Sequence, residues 1–139
     1  MAERGAAPPC IFCEIAAQRA PAHVVYETPG TVAFLDLFPY TRGHLLVVPK
    51  RHVDRLTDLK PEEYRDFFGS LSEMCRRVDR FSRHYNVALN QGENAGQVIF
   101  HLHFHVIPRP TRENPFLAQP RSRLEEAEAR RVVAELARP

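Results

Sequence analysis

QVIFHLHFHVIPR, Gln97 to Arg109, sets a histidine at every second position of an otherwise apolar run. Successive side chains of an extended strand point to opposite faces. One strand over this stretch is therefore expected to carry His101, His103 and His105 on one face and Phe100, Leu102, Phe104 and Val106 on the other. A face of imidazoles can be the solvated side of a strand with no chemistry. It can also chelate a metal, since neighbouring ligands on a strand face can converge on one zinc. Or one imidazole can be a nucleophile while the others position or protonate phosphate groups, because histidine titrates near neutrality and keeps a neutral nitrogen for attack.

Working outward, NVALNQG (residues 86–92) reads as a strand joined to the histidine run by a polar turn, Gly92 to Gly96. The clearest helix is expected from Pro61 to about Tyr85. Proline suits its first turn, Glu62 and Glu63 suit the positive end of the helix dipole, and Arg76, Arg77 and Arg80 follow. Tyr64, Phe67, Phe68, Leu71, Cys75, Val78 and Phe81 recur at spacings of three and four as one apolar stripe. Gly69 interrupts this helix at about 1 kcal/mol relative to alanine, and close packing is the expected reason.

Further upstream, HVVYE (23–27), TVAFLDL (31–37) and GHLLVVPKRH (43–52) read as strands, with Pro29-Gly30 as the first turn. CIFCEIAAQ (10–18) is expected to form a short helix. Pro108 to Arg123 reads as loop, and LEEAEARRVVAELA (124–137) closes the chain as a helix. Strands on both sides of a central helix, joined by short turns, favour a mainly antiparallel five-stranded α+β sheet over a doubly wound parallel one.

The 139 residues suffice for one domain whose core needs no disulfide staples. A net charge of +2, with 19 scattered lysines and arginines, gives no electrostatic footprint for nucleic acid. MAERGAAPP, residues 1–9, is expected to be flexible and lacks the apolar run of a secretory signal, and no stretch approaches a membrane span. A cytoplasmic protein with reduced thiols is the expectation, so Cys10, Cys13 and Cys75 are not taken as a disulfide framework. Cys75 lies on the helix stripe and is expected to be a core residue.

Four segments in order decide among the chemistries: CIFCEI, FLDLFPYTRGHLLVVPKRH, NQGENAGQ and the histidine run. Together, over about residues 10–109, they resemble the histidine triad (HIT) family of nucleotidyl hydrolases and transferases. The chain has the N-terminal CxxC found in a bacterial, Hint-like branch. The resemblance implies the HIT fold over 10–109, followed by a loop and helix over 110–139, and a homodimer. It implies cleavage of purine nucleoside phosphoramidates, adenylates or dinucleoside polyphosphates through a nucleotidyl-histidine intermediate. His103 matches the nucleophile, expected to be oriented by a backbone carbonyl, that of His101. His105 and His44 match positions lining the phosphate pocket, and Gln97 and Asn90 match polar positions near the phosphates. Asp36 matches an acid that accepts from the ribose hydroxyls. Phe12, Ile15 and Leu37 would wall the purine, although plain core is the alternative for all three.

Val98 stands where many relatives carry serine or threonine, so a hydroxyl donor to the phosphate or the leaving group is missing. That loss motivates a second reading, a purine-nucleotide-binding or scaffold protein with weak catalysis. A hydrolase with a catalytic metal on all three triad histidines is a third. Cys10 and Cys13 have zinc-knuckle spacing but make only half a tetrahedral site. The resemblance completes it with His52 and His101, giving a structural zinc and no catalytic cofactor.

Overall fold

The computed structural model describes residues 10–117 and 121–138, and the flexible segment expected over 1–9 lies outside them. The apolar runs pair into one sheet. Strands β1 (Val24–Glu27) and β2 (Thr31–Leu35) form a hairpin, and β3 (Leu45–Pro49) adds to β2. A single 3-10 turn, Pro61–Glu63, leads into helix α2 (Tyr64–Phe81), which carries the chain to β4 (Tyr85–Leu89). Strand β5 (Phe104–Pro108) then inserts between β3 and β4, giving the order β1-β2-β3-β5-β4 with every pair antiparallel.

The period of two in β2 and β3 sorts the core onto two faces. Ala33, Leu35, Leu45 and Val47 join the larger cluster with Phe67, Met74 and Val78 of α2 and Ala129, Val132 and Leu136 of helix α3 (Glu126–Leu136). Val32, Phe34, Leu46 and Val48 point the other way and pack on Phe12 and Ile15 of helix α1 (Ile11–Ala16). Burial on both faces explains why these strands read as continuous apolar runs. Fully burying a side chain of this kind contributes about 1.5–3 kcal/mol. His105 is paired with Leu46, so it faces the α1 side.

The α2 stripe is rotated from the expected one. Tyr64 and Phe68 are exposed, whereas Met74 and Ser70 are buried. Ser70 fits because its hydroxyl donates to the Asp66 carbonyl at 2.7 Å. Cys75 packs partly buried against the larger cluster. The helix also ends at Phe81, not Tyr85. Ser82 turns extended, and Tyr85 pairs with Pro108, so the sheet edge takes residues that local propensity assigned to helix.

The histidine run is only in part a strand. Residues 97–103 form a loop, and the β3–β5 pairing stops at Val47↔Phe104. Beyond that point β3 ends at Pro49, which has no N–H to continue a ladder, and whose carbonyl is taken by the His101 ring. Strict alternation accordingly fails at Phe100, which is 46% exposed, while Leu102 and Val106 reach the core.

Two glycines differ in kind. Gly43 has φ +91°, and a Cβ there would stand 2.5 Å from the Phe81 ring. Gly69 has nothing within 4 Å of that position, so close packing does not account for it. Gly43→Ala is expected to destabilise by at least about 2 kcal/mol, and Gly69→Ala to stabilise by about 0.5–1 kcal/mol. Urea unfolding midpoints at constant m-value check both.

Candidate active site and metal centre

Four histidines stand in one cluster; backbone groups dictate the tautomer of three of them, and His44 passes the choice to the fourth. A carbonyl can only accept, so His101 donates its Nε2–H to Pro49 O at 2.7 Å. His103 likewise donates its Nδ1–H to His101 O at 2.7 Å, which leaves its Nε2 as the ring nitrogen with a lone pair. An amide can only donate, so the Tyr40 N–H at 3.0 Å keeps His44 Nδ1 unprotonated. His44 then carries its proton on Nε2, 2.9 Å from His105 Nδ1 and 3.6 Å from Asp36 Oδ2. His105 accepts at Nδ1 and so presents a protonated Nε2.

Burial favours these neutral forms. It pushes His44 and His105 down to about 4, against the opposing Asp36 charge and with help from Arg121. His103 is also lowered, first by burial, while its bond to the His101 carbonyl and the Asp36 charge act the other way. A nucleophilic imidazole must be neutral, and these surroundings keep it so at pH 7.

The other expected residues fall around this cluster. Asp36 holds the β2–β3 connection, its Oδ1 accepting from Phe38 N at 2.8 Å. Phe12 sets its edge against His103, centroids 5.1 Å apart, and is buried with Ile15, so both serve the core as well as the site. Leu37 is exposed on the same connection. Asn90 follows β4 and is half-buried. Gln97 is committed within the fold. Its Oε1 accepts from Gly92 N at 2.7 Å, and its Nε2 donates to Ile99 O at 3.1 Å and Asp54 Oδ1 at 3.2 Å. The 90–100 loop is shaped by this amide. Val98 is 82% exposed and has no hydroxyl.

At the first triad histidine, Cys10 and Cys13 meet His52 and His101, with all four ligand atoms within 4.8 Å of one another. Cys13 Sγ lies 3.2 Å from His52 Nδ1 and 3.6 Å from His101 Nδ1, and Cys10 Sγ lies 3.4 Å from His101 Nδ1. Tetrahedral Zn–S and Zn–N bonds put neighbouring ligand atoms about 3.3–3.8 Å apart, so the set fits zinc. The Pro49 carbonyl contributes to that fit, because it turns the unprotonated Nδ1 of His101 toward the thiols. Burial and the neighbouring Cys10 sulfur push the Cys13 thiol up to about 11, and a coordinating cation would reverse this. A second group, Asp36, His44 and His105, is close enough for an ion, but Tyr40 N–H keeps the shared His44 Nε2 protonated.

Sequence reasoning passed over Tyr40, Pro49 and Arg121. The first two act through backbone atoms, which every residue has, so no side-chain pattern could flag them. Arg121 lies in the stretch expected to be loop.

Because His44 and His105 have folded values below their ordinary ones, the unfolded chain binds more protons between about pH 6.5 and 4. Stability is therefore full above that window and falls as pH drops through it. Melting temperatures from pH 7 to 4.5 are expected to show this, with a shallower fall in His105→Asn.

Comparison with known proteins places the chain. The HIT domain family model matches residues 17–112. An uncharacterised HIT-like protein of Mycobacterium tuberculosis is 44% identical over 102 residues, covering 72% of this chain and 71% of the relative. The adenosine 5'-monophosphoramidase hnt1 of Schizosaccharomyces pombe is 36% identical over 104 residues, 75% of this chain and 77% of that one. A crystal structure of a Zn-bound histidine triad family protein from Mycobacterium smegmatis superposes with TM-score 0.75 at 37% identity, over 92% of this chain and 93% of that one. With its triad, its antiparallel five-stranded sheet and these relatives, the chain belongs to the HIT family.

Proposed function

We propose that the protein is a nucleotidyl hydrolase or transferase acting on purine nucleoside phosphoramidates, adenylates or dinucleoside polyphosphates. One observation carries this: His103 is held by the His101 carbonyl with Nε2 unprotonated, next to a second imidazole that presents an N–H. His103 Nε2 attacks the α-phosphorus, and the bond to the leaving group breaks with its electron pair on the departing atom. Water then cleaves the phosphorus–nitrogen bond, releasing a nucleoside monophosphate and the free imidazole. His105, fixed as a donor by His44, offsets the charge that develops on the phosphoryl oxygens. Asp36 accepts from the ribose hydroxyls, Asn90 and Gln97 border the phosphates, and Phe12, Ile15 and Leu37 flank the base. The similarity to an adenosine 5'-monophosphoramidase supports this reading.

The missing hydroxyl at Val98 favours a second reading, a purine-nucleotide-binding protein with weak catalysis. Incubation with a substrate labelled at the α-phosphorus separates the two. An acid-labile adduct is expected on the native chain and none on His103→Ala. Equal labelling of both would reject the nucleophile.

We also assign a structural zinc to Cys10, Cys13, His52 and His101. All four positions are filled by protein, so the ion would fasten α1 to β3 and to the loop before β5 without activating water. Support comes from the interligand distances and from the Zn-bound relative. Elemental analysis is expected to find about one zinc per chain and near none in Cys13→Ser, with a lower melting temperature. The proposal includes a cytoplasmic homodimer. Exposed Val87 on edge strand β4 and exposed Tyr64 and Phe68 on α2 support the dimer.

A further inference from the structure

Residues 121–124 run beside the β2–β3 connection. Leu124 N donates to Leu37 O at 2.8 Å, and Arg121 Nη1 donates to Phe38 O at 2.5 Å. The Arg121 guanidinium lies over the Tyr40 ring, 4.0 Å from its centroid. Tyr40 itself stacks on His44, with centroids 5.6 Å apart and planes 17° from parallel. One aromatic ring thus links Arg121 to the His44–His105 pair.

The charge of Arg121, unlike that of several other arginines, is not matched by a carboxylate among the described residues. Arg19 is neutralised by Glu14, Arg42 by Glu128 and Glu135, Arg51 by Glu63, and Arg77 by Glu73. Among the described residues no carboxylate lies within 4.0 Å of the Arg121 guanidinium; a carbonyl and a ring face hold it instead. Its field reaches the site, since it lowers the proton affinity of both His44 and His105. A guanidinium has five donors in a fixed fork suited to phosphate, and one carbonyl bond uses one of them.

The geometry points to Arg121 as a specificity residue, supplied by the C-terminal segment to the rim of the phosphate pocket, that selects an anionic leaving group over a neutral one. This rests on the nucleotidyl-transfer reading above. When the leaving group is a phosphate chain, the α-phosphorus–oxygen bond breaks and its electron pair adds a negative charge to the departing phosphate. A nearby fixed cation offsets that charge with no proton from the protein. When the leaving group is an amine, the phosphorus–nitrogen bond breaks, nitrogen takes up a proton from solvent water and departs neutral, and the guanidinium has no new charge on the leaving group to offset.

The test compares the native chain, Arg121→Ala and Arg121→Lys on diadenosine triphosphate and on adenosine 5'-phosphoramidate. Arg121→Ala is expected to lose about 10- to 100-fold in kcat/KM on the triphosphate and to stay within about 3-fold on the phosphoramidate. Arg121→Lys is expected to recover part of the loss, keeping the charge without the fork. Calorimetric titration with ADP and AMP gives a readout independent of turnover. The native chain should bind ADP more tightly, and Arg121→Ala should bind the two alike. Equal losses on both substrates, or an ADP-to-AMP affinity ratio unchanged in the variant, would overturn the assignment. Failure of His103 to form an adduct would strike the nucleotidyl-transfer reading alone, since the affinity ratio still decides the role of Arg121.

Discussion

Two backbone carbonyls, those of Pro49 and His101, govern the chemistry of this protein. Each accepts a hydrogen bond from a buried imidazole N–H and so decides which nitrogen of that ring keeps its lone pair. The Pro49 carbonyl turns His101 Nδ1 toward two thiols, and the His101 carbonyl leaves His103 with an unprotonated Nε2. An imidazole in water exchanges tautomers freely. Here the choice is built into the covalent chain, and burial adds to it by disfavouring the doubly protonated form. The energetic cost of placing such rings inside a core is offset by these hydrogen bonds.

This anchoring divides the triad. His101 faces the cysteines and His52, whereas His103 and His105 face Asp36 and His44. The two halves are mechanically joined, because the carbonyl that orients His103 belongs to His101. A metal that fixes the His101 ring would thereby fix the backbone carbonyl to which His103 is bound. A third backbone control, by a donor this time, comes from the β2–β3 connection, where the Tyr40 N–H sets His44 and His44 sets His105. That connection is in turn braced by Thr41, which donates to Pro108 O at 2.5 Å, and by Gly43, whose positive φ only glycine adopts without strain.

The same connection receives the C-terminal segment. Leu37, Phe38 and Tyr40 contact Leu124 and Arg121, so a part of the chain remote in sequence is joined through the Tyr40 ring to His44. Helix α3 holds that segment in place by burying Ala129, Val132 and Leu136 in the larger cluster. Arg42 strengthens the attachment through Glu128 and Glu135.

The apolar runs were enough to show an antiparallel five-stranded sheet with a long helix, because continuous runs such as LLVVP and period-two faces are local properties of the residues. The histidines, the cysteine pair and Asp36 were equally visible, since chemistry-bearing side chains announce themselves by type and spacing. Three things were settled only by tertiary contact. The strand expected over 97–108 shrinks to Phe104–Pro108 because β3 ends at a proline and its last carbonyl goes to a side chain. The amide of Gln97 binds its own loop, as Gly92, Ile99 and Asp54 converge on it. Arg121 comes to the Tyr40 ring while α3 docks on the far face of the same sheet. A sequence records which groups are available, but the pairing of backbone donors and acceptors across long separations depends on register and packing, and these exist only in the folded chain.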